Sequence, residues 1–382
     1  MFLTSDVQIL VFRSSVFFKC LVKVNSLILY SLFFILTIMN FKKIVGIDLG
    51  TDTIQVYLKG AGIVIDEASI VAFNNRTNRI IAVGTEAKKM MSRTPTHITA
   101  LHPVAHGILA DFDMAKEMIQ RLLKNKSLPW SWVTEVVLGV PTNLTEVERK
   151  SFEDLVQEAG AGKVYLVEQP LLAALGSGLD IYQPTAYLVV DMGAGTTDMA
   201  IVAMNGIVVS RRLKVGGNYL NNEIIKAVRE ELKLHIGEPT AEEIRIAVAS
   251  AIPQSERLEI TVRGRDVSTG LPKEIIVKDA QVRIWIARSL KFVTESIKDL
   301  IEETPAELVG DVYKNGIYMC GGGSLLRGID SLIEKEIGVS VRVVEDPLRC
   351  VARGAGMITD HLEMYHQILN TFSSPGFGGK KG

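Results

Sequence analysis

The run "IVGIDLGTDTIQVYLKG", Ile44 to Gly60, and the run "LVVDMGAGTTDMAIVAMNG", Leu188 to Gly206, are built alike. Each is an apolar, β-rich stretch that ends in an aspartate, Asp48 or Asp191, then a turn of glycine and threonine, then a second β-rich stretch. The pattern predicts two hairpins. A turn of small residues brings successive backbone N–H groups against a ligand and makes a concavity suited to anions such as phosphate. Gly50, Thr51, Asp52 and Thr53 form one such turn, and Gly193, Ala194, Gly195, Thr196 and Thr197 the other. If the two halves face each other, both turns grip one phosphate chain and both aspartates point at the same place. Two carboxylates repel a polyphosphate unless a hard cation lies between, and Mg²⁺, held by one or two carboxylates through its retained waters, is that cation. A single hairpin of this kind is most often an ordinary turn; the matched pair is what points to a site.

Outward from the hairpins, strand-like and helix-like segments alternate from Lys42 to about His361, which argues for α/β architecture. In the first half, "GIVIDEASIVAF" and "RIIAVG" read as strands and "MAKEMIQRLLKNK" as an amphipathic helix. "WVTEVVLGVP" reads as a buried strand, and "TNLTEVERKSFEDLVQEAGA" as a helix with a threonine cap. "KVYLVEQ" is a further strand, and Pro170 fits the first turn of a helix over "PLLAALGSGL". The second half adds helices at "NYLNNEIIKAVREELKL" and "TAEEIRIAVASAI", strands at "RLEITVRGRD" and "KEIIVKD", and a long helix from about Ala280 to Glu303. Then "GIYMCGGGSLLRGI" reads as a strand entering the triple glycine Gly321 to Gly323 and leaving as a helix whose N-terminus favours an anion. Starting from Gly321, a dinucleotide fingerprint would need glycine at Leu326, and there is no GxxxxGK[ST] loop, so Rossmann and P-loop chemistry are both excluded.

A chain of 382 residues has room for two domains of ordinary size, on a prior of roughly 150 residues each. Apolar residues make up 47% and charged residues 22%, the mixture of a protein with a sizeable core. A formal charge of −1 gives no field for a phosphate backbone, and no basic patch stands out, so nucleic acid is not an expected partner. Cys20, Cys320 and Cys350 are too few and scattered for a disulfide framework or a thiolate metal site, which fits a reducing, cytosolic compartment. His102 and His106 have a helical spacing, but Pro103 stands between them and no third ligand is near, so zinc is not expected. Val24 to Phe41 is an uncharged, mostly apolar run of 18, at the lower edge of a bilayer span. It is either an N-terminal anchor, with Lys42 and Lys43 keeping the main domain cytoplasmic, or an upstream stretch ahead of a true start at Met39.

These pieces resemble the actin-like ATPase superfamily, and within it the MreB/Mbl family of bacterial actins. The resemblance is carried by "GIDLGT" (46–51), "SRTP" (92–95), "GILADF" (107–112), "GVPTNLTEVER" (139–149) and "EQPLLAALGSGL" (168–179). It continues in "VVDMGAGTTD" (189–198), "IGEPTAEEIR" (236–245), "RGRDVSTGLP" (263–272), "TPAELVGDV" (304–312) and "GGGSLLRGID" (321–330), and so covers about 39 to 360. It implies a duplicated, ribonuclease H-like two-lobe fold with a nucleotide cleft between the lobes. The lobes would be 39–185, with a small insert at about 72–103, and 186–365, with an insert at about 220–285. An extension over 1–38 would precede them and a flexible tail over 366–382 would follow.

The resemblance implies ATP as ligand, Mg²⁺ near Asp48 and Asp191, and phosphate contacts from Thr51 to Thr53 and from Gly195 to Thr197. Glu242 and Arg245 would lie by the adenosine, with Gly322, Gly323 and Ser324 opposite. It implies slow hydrolysis coupled to polymerisation into filaments on the inner face of the cell membrane, where they organise cell-wall synthesis and rod shape. The partners would be further copies of the chain, the membrane surface and the wall-elongation machinery. Trp130 and Trp132 in "SLPWSW" stand where the family has a membrane-dipping loop, although both rings could instead pack into the core. Three departures stand out. Gln169, next to Glu168, replaces a glutamate that orients or activates water in relatives; an amide orients water but takes no proton. Ala194 replaces a glycine and suits only a negative φ, and Ala105-His106 replaces a charged pair. A metabolite kinase on the same fold would need an acceptor base beyond Asp48 and Glu168, and a chaperone would need a substrate domain after the ATPase.

Overall fold

The computed structural model describes residues 43–91, 94–126, 128 and 133–372. The N-terminal extension, Ser92, Arg93, Trp130, Trp132 and the tail from 373 onward lie outside the described residues, so the readings that concern them are not addressed by it.

The first hairpin forms as its sequence predicts: β1 (Lys43–Leu49) and β2 (Thr53–Leu58) pair antiparallel, and β3 (Gly62–Ala68) adds to β2. The chain then leaves this sheet for a small insert. There β4 (Val71–Asn74), β5 (Arg79–Val83) and β6 (Ile98–Leu101) make a three-stranded sheet, with a short helix Thr85–Met90. "GIVIDEASIVAF", read above as one strand, is therefore two strands in two sheets. The break falls at Ser69, a buried residue whose N–H donates to the Asp52 carbonyl at 2.9 Å instead of continuing the ladder. A two-strand ribbon, β7 (Val104–Ala105) and β8 (Ile108–Leu109), leads back. With β9 (Val133–Val140) and β10 (Lys163–Glu168) the first sheet has the order β10-β9-β1-β2-β3.

Two capped helices cover one face of it. The helix Phe112–Asn125 starts where the Asp111 side chain accepts from Met114 N, and it buries Ala115, Met118, Ile119, Leu122 and Leu123, the stripe of an amphipathic helix. The helix Glu146–Glu158 starts at Thr145, which forms a reciprocal capping box with Glu148.

The second half repeats the plan. β11 (Tyr187–Met192), β12 (Thr197–Ala203) and β13 (Gly206–Leu213) form an antiparallel meander. An insert follows, with β14 (Leu234–His235), β15 (Glu259–Asp266), β16 (Pro272–Lys278) and the helices Gly217–Glu231 and Glu238–Val248. The long helix Asp279–Glu302 returns the chain, and β17 (Ile317–Cys320) and β18 (Val341–Val343) complete a sheet of order β13-β12-β11-β17-β18. Each sheet thus carries an antiparallel three-strand meander and then two further strands, the shape expected of a duplication.

Between the sheets lies a third core. The helices Gln169–Gly176 and Cys350–Asp360 pack on each other, and Val137 and Val167 from one sheet and Val189 and Ala200 from the other close on them. The approach is close enough that a Cβ at Gly176 would collide with the Cys350 carbonyl, and one at Gly354 with the Leu172 carbonyl. Leu171, Leu172 and Ile358 are fully buried there, each worth about 1.5–3 kcal/mol of transfer free energy.

Two expectations are corrected. After the triple glycine the chain makes only a 3₁₀ turn, Gly322–Leu325; Leu326 is extended, and the helix Ile329–Ile337 starts after Gly328 in the left-handed region. No α-helix N-terminus therefore sits at the glycines. The segment His366–Phe372, read as the start of a flexible tail, is helical, and Ile368 and Leu369 are buried in the third core. No helix among the described residues is long and apolar enough to cross a membrane.

Candidate nucleotide cleft

The two hairpins match in detail. Asp48 stands opposite Gln55 across its hairpin, and Asp191 opposite Asp198 across the other, so each aspartate has its partner seven residues on. Gly50 N donates to Thr53 O at 2.9 Å, and Gly193 N donates to Thr196 O at the same distance. In the second turn the carbonyls of Gly193 and Ala194 are tied down by Gly217 N (3.0 Å) and Asn218 N (2.9 Å) at the start of the helix Gly217–Glu231. Ala194 lies outside the left-handed region, as its methyl requires.

The turns meet. A Cβ at Gly195 would collide with Thr51 Oγ1 of the other turn, and His102 Nδ1 lies 2.7 Å from Thr51 O. His106 Nδ1 is 3.5 Å from Gly195 O, so the two histidines address the turns and not each other. Beneath the turns a cleft of about 440 Å³, within the range of about 300–1,000 Å³ typical of small-molecule sites, has both aspartates on its wall. Gly50 to Thr53, Gly193 to Thr196, Glu242, Arg245 and Gly321 to Gly323 also line it. Gly321 has φ +75°, and a Cβ there would strike Asp191 Oδ1, so this position demands glycine.

The electrostatics of the cleft are dominated by two buried carboxyls. Burial, offset in part by a hydrogen bond from Gln169 Nε2 (3.1 Å), pushes Asp48 up to about 6. Burial first, and then the nearby Asp48 and Asp198 carboxylates, hold Asp191 well above the usual carboxylate range. Burial is the leading cause of both shifts, and the neighbouring carboxylates add to that of Asp191. Arg245, its Nε on Asn221 Oδ1 at 2.8 Å, is lowered by burial. Lys88 from the first insert lies 3.2 Å from Asp52 and 3.4 Å from Glu242 of the second insert, which spans the mouth of the cleft with an ion pair on each side.

Most residues singled out in the sequence come together here, but three do not. Thr197 is the first residue of β12; strand alternation turns it into the core, where its hydroxyl donates to Val215 O at 2.6 Å. Ser324 is buried, with its hydroxyl on Gly321 O at 2.7 Å. Glu168 faces a separate cavity beside Asn143, Met204 and Ser210, while its neighbour Gln169 reaches the cleft. Two residues went unnoticed in the sequence. Lys88 has no local motif. Asp198 was the last letter of "VVDMGAGTTD", and its place across the hairpin from Asp191 was the available signal. Asp198 is buried, accepts from Thr142 N (3.1 Å) and Thr142 Oγ1 (3.0 Å), and is pushed upward chiefly by burial.

The family model for MreB/Mbl protein matches residues 42–367. The chain belongs to the MreB/Mbl family. It is 39% identical over 324 residues to the cell shape-determining protein Mbl of Bacillus subtilis, an alignment covering 85% of this chain and 97% of that one. It is 38% identical over 333 residues to the cell shape-determining protein MreB of Escherichia coli, covering 85% and 95%. The crystal structure of MreB 5 of Spiroplasma citri bound to AMPPNP superposes with a TM-score of 0.82 at 33% identity, covering 86% of this chain and 99% of that one. The duplicated sheets are therefore the two halves of an actin-like fold, as expected of an MreB/Mbl chain.

Proposed function

We propose that this MreB/Mbl chain is a cell shape-determining cytoskeletal ATPase that binds Mg²⁺·ATP in the cleft, assembles into filaments and hydrolyses the nucleotide slowly. The observation that carries the reading is the convergence of two registered hairpins, each with its aspartate, on one cleft. The related MreB 5 structures, bound to AMPPNP and to ADP, support the choice of ligand.

The turn amides of Thr51 to Thr53 and of Gly195 and Thr196 hold the phosphates, while those of Gly50 and Gly193 close the turns. Asp48 and Asp191 would hold the cation, whose charge would offset the cost of ionising two buried carboxyls, so the donor set fits. A bound Mg²⁺ would supply neutralisation of the negative charge gathered in the cleft. Gln169, anchored on Asp48, orients the attacking water but cannot take its proton. Glu242 and Arg245 border the nucleoside end, with Gly322 and Gly323 as the facing wall.

Filaments would be homopolymers of this chain on the inner face of the cell membrane, coupled to wall synthesis. Trp130 and Trp132, outside the described residues, would reach the interface; unchanged liposome binding after both are replaced by serine would remove that role. The function is tested by pelleting the full chain with and without Mg²⁺·ATP while phosphate release is followed with no acceptor present. ATP-dependent pelleting with slow release supports it; soluble protein, or release that needs a small-molecule acceptor, overturns it.

A further inference from the structure

A turn offers its N–H groups to an anion when its carbonyls are held on the other side. In the second turn the ties are backbone: Gly217 N and Asn218 N, at the start of the helix Gly217–Glu231, take the carbonyls of Gly193 (3.0 Å) and Ala194 (2.9 Å). The first turn is tied by the two segments that carry the chain into and out of the small insert. Ser69 N, where the chain leaves for β4, donates to Asp52 O at 2.9 Å, and His102 Nδ1, where it returns from β6, lies 2.7 Å from Thr51 O. A carbonyl oxygen only accepts, so His102 carries a proton on Nδ1 and donates it. The Thr51–Asp52 peptide is trans, which sets its C=O and N–H antiparallel, so the bond to His102 turns the Asp52 N–H the opposite way. No described residue accepts from that N–H. Thr51 and Asp52 line the cleft, whereas His102 stands behind the turn and does not.

We propose that His102 is the positioning residue of the first turn: by holding the Thr51 carbonyl it aims the Asp52 N–H at a phosphate oxygen. It does for this turn what the start of the helix Gly217–Glu231 does for the other. The inference rests on the nucleotide reading of the cleft given above. A peptide released from His102 can flip and present its carbonyl to the anion, exchanging a donor for a repelling acceptor. A half-buried histidine that only fills space is replaceable by an apolar side chain of similar size. One that aims a peptide is replaceable only by a donor at the same atom. Asparagine supplies such a donor, because its Nδ2 sits where Nδ1 of histidine sits, whereas glutamine carries its amide nitrogen one bond further out.

The test is calorimetric titration of the full chain with Mg²⁺·ADP and with adenosine, for the parent and for His102→Leu, His102→Asn and His102→Gln, with melting of each nucleotide-free chain as the check on folding. Leucine should weaken Mg²⁺·ADP about tenfold, the scale of one lost hydrogen bond to a charged group, and leave adenosine unchanged. Asparagine should bind Mg²⁺·ADP as the parent does, and glutamine as leucine does. Equal Mg²⁺·ADP affinity in the leucine chain and the parent overturns the proposal. So does an equal loss for adenosine, which marks a general loosening of the cleft, and so does an asparagine chain as weak as the leucine one, which marks packing alone. If the leucine chain does not fold, the asparagine and glutamine chains carry the test, and equal Mg²⁺·ADP affinities between them overturn the proposal. A parent that binds neither ligand overturns the nucleotide reading and this inference with it, whereas each of the earlier contrary results leaves that reading standing.

Discussion

Asp48 is held up to about 6 mainly by burial, and the sign of its effect on stability follows. A carboxyl with a raised folded pKa favours the folded state below its unfolded value and loses that advantage as pH rises from about 4 to about 6. Above pH 6 the nucleotide-free protein therefore carries a penalty of no more than about 3 kcal/mol from this group. Asp48→Asn should then raise the melting temperature of the nucleotide-free chain at pH 8, with the gain shrinking toward pH 4, and should abolish stabilisation by Mg²⁺·ATP. Equal melting of variant and parent at pH 8 would remove the electrostatic account. At the neighbouring position, Gln169→Glu supplies a base and should speed phosphate release by about 10²-fold if proton transfer limits the step; release no faster than the parent's would show that orientation alone sets the rate. Asp48 and Asp191 were legible because one motif occurs twice. Thr197, Ser324 and Glu168 lie off the cleft wall because a motif gives the stretch, whereas the period-two alternation of a strand and the packing of a turn decide which side chain faces the cleft.

Among elements, the hairpins and the capped helices follow from local signals: alternation, Asp111, Thr145 with Glu148, Pro170 in a first turn. The helix Cys350–Asp360 could not be read that way, because "CVARGAGMITD" carries two glycines that local propensity counts against a helix. Tertiary packing overrides that preference: only glycine lets this helix lie on Gln169–Gly176 at the distance observed. Gly354→Ala should accordingly lower stability by about 1–3 kcal/mol, the usual cost of overpacking, although alanine is the better helix former. Chemical denaturation reads this directly, and a neutral or stabilising result would mean that the crossing is looser than described. The 3₁₀ turn after the triple glycine was missed for the opposite reason: Leu325 and Leu326 look helical in sequence, but Gly321 and Gly328, both at positive φ, bound a segment too short for an α-helix.

For the molecule as a whole, two sheets of the same plan are joined by a shared core of small and apolar residues, while Lys88 bridges Asp52 and Glu242 across the cleft mouth. Pairs this exposed are worth about 0–1 kcal/mol each, so the bridge biases closure without enforcing it, and a bound nucleotide can supply the rest. The duplication that organises the molecule was visible in the sequence; the bridge was not, because it joins three segments with no common motif. The central claim is that both aspartates address one nucleotide-bound cation. The most direct test is the anomalous signal of Mn²⁺ in crystals of the chain grown with AMPPNP. A peak between Asp48 and Asp191 beside the terminal phosphates is predicted; a nucleotide bound with its metal away from either carboxylate would contradict the account.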